Sequence, residues 1–384
     1  MGWFKDFRKQ VRSQKSLSRL KDELGRYRSE FASRGFSLPG EGDIRRRFRD
    51  KYPGLAPKTR GELNLLAIYH SYNWEEEALK PSLKIFGTVR HYDWVGKFNH
   101  RSTDWSKSLK DEMNDDLVRS AVKWHRERPF DAIFCYLSGE LANEDMLAKS
   151  GVLRLPIVNL SLNDKECFVG KSRFGQVIGM RDICRHFDLC WTSTRDALEK
   201  YCVEGALPIY LPEGANPEVH RPYDLEKTID VSFVGQRYGN RPAVIDALRS
   251  AGIRVEAFGP GWPNGPLSTK EMVKMYSRSR INLGFGGVAG HKDTYCLKGR
   301  DFEVPMSGGL YLTERHEELK SVYEVGKEIV TYSGMDDLVS KTRWLLSHPE
   351  EADRIRIAGR ERSLREHTWE MRFEKIFGLM GLIG

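Results

Sequence analysis

A chain of 384 residues exceeds what one ordinary core holds, so two domains are expected, and its 40% hydrophobic and 30% charged residues are those of a globular protein. No apolar run nears the eighteen or so residues of a membrane span, and the start of the chain lacks the apolar core and small-residue cleavage site of a secretory signal. Neither a membrane-spanning helix nor secretion is expected, and a cytoplasmic protein is. Its six cysteines have neither Cys-x-x-Cys spacing nor a paired framework, which fits reduced thiols.

The net charge of +8 is unevenly placed. Residues 1–60 hold 17 Lys and Arg against 7 Asp and Glu, a net of +10, and the other 324 residues hold 45 against 47, a net of −2. Residues 1–60 therefore read as a basic helical extension. Within it Trp3, Phe7 and Val11 recur every four residues, with Phe4 beside them and cations on the other faces. That pattern suits an amphipathic helix on an anionic membrane surface, contacted through residues 1–50 and placing the protein at the inner face of the membrane. Docking of the aromatics on the protein's own body is the competing reading. The cluster Arg45-Arg46-Arg47-Phe48-Arg49 continues the basic theme, but no recognition motif accompanies it and no nucleic acid partner is expected.

From Gly61 strands and helices alternate. Leu63–Tyr69 reads as a first buried strand and residues 107–128 as a helix with Leu109, Met113, Leu117, Ala121 and Trp124 on one face. Strands at 131–137 and 156–162, a helix over 139–149, a strand at 188–192, a helix over 194–204 and a strand at 208–211 follow. A Pro/Gly/Asn-rich connection, 212–223, places the domain boundary near 222–228. The same alternation then restarts: strand 229–235, helix 241–251 with Pro242 in its first turn, strand 253–258, a capping box at Ser268 and Glu271, and strand 280–285. A helix over 297–306, ended by Ser307-Gly308-Gly309, precedes strands at 310–313 and 327–331 and three final helices. This is an α/β chain with two parallel sheets.

Ligands of open parallel sheets sit beyond the carboxyl ends of the strands. In the second half that rule selects Gly235 to Arg241, Phe258 to Trp262, Phe285-Gly286-Gly287 and the stretch from Lys298 to Glu314. The glycines of these loops, Gly235 and the pair Gly308 and Gly309 among them, would let a ligand approach the backbone closely. Arg237, Arg241, Lys298 and Arg300 suit a diphosphate, and Glu303 is an acceptor of the kind that chelates ribose hydroxyls. A surface salt bridge is the alternative for any one of these arginines. No Walker loop, no Gly-x-Gly-x-x-Gly after a first strand, no Asp-x-Asp pair, no Gly-x-Ser-x-Gly and no His-Glu-x-x-His occurs, which argues against nucleotide hydrolysis, hydride transfer and metal-clamped diphosphate chemistry.

The run Lys298-x-Arg300-Asp-Phe302-Glu303-x-Pro-x-Ser-Gly308-Gly309-x-x-Leu-Thr313-Glu314 resembles the glycosyl-transferase-1-like domain of spore-maturation-type and polysaccharide-cluster glycosyltransferases. Gly326-Lys-Glu328-Ile, Ala358-Gly359-Arg360 and His367-Thr368-Trp369 extend the resemblance, and 188–217 is similar to the end of that family's N-terminal half. The resemblance implies a GT-B fold, two Rossmann-like domains facing each other across a cleft. It implies an acceptor domain over 61–222, a nucleotide-sugar domain over 223–367, and a helix over 368–384 crossing back to the first. It also implies a hexosyltransferase-like activity on a UDP- or GDP-sugar used as substrate, with no cofactor and no metal. The acceptor would be a glycan or a lipid-linked one, in cell-envelope polysaccharide or glycolipid synthesis.

By the same resemblance Glu303 holds the ribose, while Arg237 or Arg241, with Lys298 and Arg300, holds the diphosphate. Many retaining relatives have a second glutamate eight residues before this one, facing the donor sugar; here that position is Tyr295, with Asp293 near but out of register. Retention or inversion is left open. An inverting enzyme needs a general base from the first half, for which Asp164 stands first, followed by His91 and His70. A helix cap is the alternative for Asp164 and an ordinary loop position for each histidine. A nucleotide-sugar epimerase of the same fold and a non-catalytic carbohydrate-binding or scaffold protein are the rival functions.

Overall fold

A computed structural model describes residues 2–72, 74–173, 176–288 and 294–384, with side chains described from residue 17 onward except at 150, 152, 171–173 and 176. Two compact units divide the chain: 1–76, 80–212 and 373–384 make the first, and 77–79 with 213–372 the second.

The first unit is built on a parallel sheet of β1 (Leu63–Ile68), β2 (Gly87–Tyr92), β3 (Ala132–Cys135), β4 (Ile157–Ser161), β7 (Leu189–Thr192) and β8 (Pro208–Tyr210), in the order β2-β1-β3-β4-β7-β8. A two-stranded antiparallel ribbon, β5 (Lys171–Arg173) and β6 (Gln176–Ile178), lies apart from it. Strands β1, β3, β4 and β7 are buried along their whole length, which is why they read as continuous apolar runs. Strand β2 was not expected. It is one of the two edge strands, and Gly87-Thr-Val-Arg-His91 alternates between half-buried and exposed positions before buried Tyr92, so it has no apolar run to betray it.

The basic extension is two helices, Gly2–Ser33 and Glu41–Lys51, and it is part of the first unit. On the first helix Leu20, Glu23 and Tyr27 are buried; Lys200 donates to Glu23 at 2.7 Å, and the Tyr27 hydroxyl donates to Glu204. On the second helix Ile44 and Phe48 face inward, and the Tyr52 hydroxyl beyond it donates to Asp188 at 2.7 Å. Docking thus accounts for the extension from residue 17 onward. The side chains of Trp3, Phe4, Phe7 and Val11, which carry the membrane reading, lie outside the described residues. The last piece of the unit, 373–384, adds Phe373, whose ring meets Phe134 at 5.4 Å and Trp191 at 5.5 Å.

The second unit has the parallel order β10-β9-β11-β12-β13, from β9 (Ile229–Val234), β10 (Val255–Phe258), β11 (Ser279–Leu283), β12 (Tyr311–Glu314) and β13 (Val330–Tyr332). Ser268 caps the Thr269–Arg278 helix by accepting from the Glu271 N–H at 3.2 Å, as its capping box predicts. The unit begins at Glu213, upstream of the expected 222–228. The connection belongs here because the Ala215 N–H donates to His367 O at 2.9 Å and the Trp369 N–H to Ala215 O at 3.1 Å.

Candidate functional site

In both sheets the strand order reverses beside the first strand of the unit. The reversal lies between β1 and β3 in the first unit and between β9 and β11 in the second, where connections leave in opposite directions and open a crevice at the carboxyl ends.

In the second unit the predicted cations gather at that crevice. The Gly299–Met306 helix starts after Lys298, whose N–H donates to Asp301 at 2.6 Å. Asp301 is fully buried, also accepts from the Tyr311 hydroxyl at 2.7 Å, and is pushed up to about 6 by that burial. This anchor fixes the first turn and so the direction of Arg300. The guanidinium of Arg300 lies 5.3 Å from the Phe233 ring centre, and Nη1 donates to Val234 O at 3.3 Å. Its Nε is buried and has no partner among the described residues. Gly235 makes room for it: a Cβ there would come within 2.9 Å of Arg300 Nη1. The Gly235 N–H is already bonded to Phe258 O at 2.8 Å, so this glycine supplies space and no donor.

Glu303 follows one turn later, and a second carboxylate joins it. A Cβ on Gly299 would stand 3.1 Å from Glu303 Oε1 and 3.3 Å from Glu213 Oε2, so the two acids converge over the start of the helix. Burial, reinforced by the Glu303 charge, pushes Glu213 up to about 8. Buried His220 places Nε2 3.9 Å from Glu303 Oε1, and burial lowers its pKa. Glu213 and His220 were missed. Both come from the irregular 212–223 connection, which has no periodicity to assign a side chain to a face.

The remaining predicted residues divide. The Arg237 guanidinium is exposed and lies 5.5 Å from the centre of the Trp262 ring, whose Nε1 donates to Gly235 O at 2.8 Å. Arg241 is 5% exposed and braces its own loop, donating to Gln236 O at 2.8 Å and to the Tyr238 hydroxyl at 3.2 Å, 4.1 Å from the Tyr238 ring centre. It braces the loop close to Arg300, whose charge acts on it. Gly308 and Gly309 are a correction. They cap the far end of the helix, about 12 Å from its start, with N–H groups on Pro305 O and Val304 O, because the chain must turn there at φ +72° to enter β12. The N–H groups of Gly286 and Gly287 are likewise taken, both donating to buried Glu314 at 3.1 Å. Tyr295 stacks on His316 with ring centres 5.5 Å apart and nearly parallel planes, and pairs with Gly287 as an isolated bridge. Asp293 lies outside the described residues.

In the first unit Asp164 is a structural knot. It is 1% exposed and accepts from Ser161 at 2.6 Å, Thr192 at 2.6 Å and Tyr201 at 2.8 Å, joining the ends of β4 and β7 to the Leu198–Val203 helix. Burial raises its pKa against those three donors. Those three hydroxyls engage both of its oxygens, and Asp164 also borders the cavity that His70 lines. His91 is also committed: Nε2 meets Tyr69 O at 2.9 Å, Nδ1 lies 3.5 Å from Glu76, the ring stacks on Tyr69, and burial lowers its pKa. His70 differs. Its Nδ1 lies 3.1 Å from Asp93, whose carboxylate is fixed by the N–H groups of Ser71 and Val95 at 3.1 and 2.9 Å. Its Nε2 has no hydrogen-bond partner among the described residues, and the ring lines a cavity of about 410 Å³ at the carboxyl ends of β1, β3 and β4.

Comparisons with known proteins agree with this architecture. Residues 241–378 match the family model described as glycosyl transferase-like. No curated protein matches the chain in sequence. Among solved structures it is similar to a sucrose-phosphate synthase from Thermosynechococcus elongatus, at TM-score 0.57 and 11% identity over 83% of this chain and 98% of that one. HepE of Anabaena, solved with UDP-glucose, gives 0.56 and 11% over 83% and 100%; a glycosyltransferase from Rickettsia africae gives 0.56 and 8% over 83% and 98%. The chain thus has the GT-B fold, and a stretch reaching from the second unit into the last piece of the first, residues 241–378, matches the glycosyl transferase-like model.

Proposed function

We propose that the protein moves a sugar from a UDP- or GDP-linked donor to an acceptor hydroxyl, in glycan, polysaccharide or glycolipid synthesis. One observation carries the reading: at the crevice of the second sheet, Arg300 holds a buried Nε without a hydrogen-bond partner among the described residues, two residues after Lys298 and one helical turn before Glu303. A desolvated guanidinium with an unmade bond is costly and is satisfied by an anion. The diphosphate is that anion, and Lys298 and Arg300 stabilise the charge it acquires on leaving. Glu303 takes the ribose hydroxyls. The UDP-glucose in the HepE crystal supports the choice of donor class. Sugar attack by an acceptor hydroxyl then needs a proton acceptor in an inverting enzyme, and His70, oriented by Asp93, replaces Asp164 in that role.

The test is a donor panel read by thermal shift and calorimetry, followed by nucleotide release with and without EDTA. UDP- or GDP-sugars should stabilise the protein, Glu303→Gln should weaken that binding, and Arg300→Ala should slow transfer, with release unaffected by EDTA. Full donor binding and activity in both variants would remove the site. Isomerised sugar without transfer would replace the proposal with epimerisation. For the extension we propose contact between residues 1–16 and an anionic membrane surface. Deleting 1–16 should abolish binding to phosphatidylserine vesicles, and unchanged binding would exclude that contact.

A further inference from the structure

We infer that Glu213 is a second ribose-binding residue of the donor site, a protonated carboxyl that donates to the hydroxyl from which Glu303 accepts and so links donor binding to a proton. The inference rests on the proposed reading of Glu303 and adds the group on the other side of the hydroxyl. Three observations carry it.

The first is which acids at this crevice are already spent. Asp301 accepts from the Lys298 N–H on one oxygen and from the Tyr311 hydroxyl on the other. Glu314 accepts from Asn240 at 2.8 Å on one oxygen and from the Gly286 and Gly287 N–H groups on the other. Both of these acids are buried. Glu213 and Glu303 are half-buried, and neither carboxyl takes a hydrogen bond among the described residues, His220 standing off from Glu303 at 3.9 Å. Two acids with open lone pairs are left, and they face one gap, the space over Gly299 that a Cβ would enter.

The second is that the backbone of Glu213 is fixed. Its carbonyl accepts from Arg372 at 3.4 Å, and a Cβ on neighbouring Gly214 would come within 2.7 Å of Trp369 N. The chain thereby aims this side chain over Gly299 although nothing bonds its carboxyl.

Charge is the third. The groups facing Glu213 are Lys298, Arg300, Asp301 and Glu303, with Cys296 against Lys298 and buried His220 beside Glu303. At neutral pH the two cations are matched by Asp301 and Glu303, because burial keeps His220 uncharged. A further carboxylate would put net negative charge beside the proposed diphosphate. With its proton on, Glu213 adds no charge and becomes a donor as well as an acceptor, which Glu303 is not. A ribose hydroxyl gives its own hydrogen to Glu303 and accepts one from Glu213, so the two acids suit it as an unlike pair. The rise of Glu213 to about 8 agrees with that role.

The experiment measures UDP-glucose binding to the full chain by calorimetry from pH 7 to 9, with GDP-mannose in its place where guanosine is preferred. Wild-type affinity should fall about tenfold over that range as Glu213 loses its proton. At about pH 8.5 binding should take up most of one proton, read from the dependence of the heat on the ionisation enthalpy of the buffer. Glu213→Gln, whose amide donates at every pH, should bind equally at both ends of the range and take up no proton. Glu213→Ala should also be flat in pH, and weaker than Glu213→Gln by about fivefold. Wild-type affinity that is flat in pH overturns the inference whether or not the variants fold, and leaves the donor site standing. The same decline in Glu213→Gln overturns it too and moves the proton to the Cys296 thiol. Absence of binding by any nucleotide sugar at any pH removes the donor site itself, and this inference with it.

Discussion

Replacing Glu213 by Gln tests the carboxylate pair over Gly299. Glu213 rises from an ordinary 4.5 to about 8 because the folded site buries it and sets Glu303 against it, with Lys298 and Arg300 opposing and Asp301 adding to the rise. An acid with a raised folded pKa binds more protons folded than unfolded between the two values. Stability is therefore greatest below about 4.5 and declines as pH rises toward 8. Each pH unit in that window withdraws at most about 1.4 kcal/mol, so the whole span is a few kcal/mol, on the order of 3–5. Gln carries the neutral form at every pH. In thermal unfolding from pH 5 to 9, wild type should fall away from Glu213→Gln, by roughly 2–4 °C for each kcal/mol in a domain of this size. Asp301, raised from 3.8 to about 6, contributes with the same sign in both proteins. Parallel curves across the range would show that Glu213 is neither desolvated nor coupled to Glu303.

Three further outcomes are expected. Lys200→Met strands Glu23, since their side chains are 3% and 2% exposed, and should cost about 3–5 kcal/mol in denaturant unfolding. The double variant with Glu23→Met should recover most of it, and an unchanged single variant would mean that the long N-terminal helix is not anchored. Asp164→Ala removes the acceptor of three buried hydroxyls and should cost at least about 1–3 kcal/mol; turnover per folded molecule should persist, and its abolition would restore Asp164 as the base. His70→Asn should abolish transfer while UDP-sugar binding survives, whereas retained transfer would place the base elsewhere.

Much of the fold was legible because it rests on local pattern. Buried parallel strands are apolar throughout, so Leu63–Ile68 and Ile157–Ser161 announce themselves; helices such as Thr269–Arg278 show their cap and their face within one or two turns. The Lys298–Glu303 cluster was legible for the same reason, since one helical turn fixes those residues relative to one another. What the sequence alone could not decide is which atoms remain unspent. Gly286 and Gly287 look like ligand donors until Glu314, 27 residues away, is found on their N–H groups, and Arg241 looks like Arg237 until its guanidinium is found folded onto Tyr238. Glu213 and Glu303 are 90 residues apart and meet only because Gly299 has no side chain between them. Asp164 and His70 differ on the same ground, one surrounded by hydroxyls from three elements and the other held by a single carboxylate, its Nε2 without a hydrogen-bond partner among the described residues. Local spacing determined the elements and the charge they carry; the tertiary structure determined which polar groups satisfy one another and which are left for a ligand, because hydrogen bonds are exhausted by neighbours in space and not by neighbours in sequence.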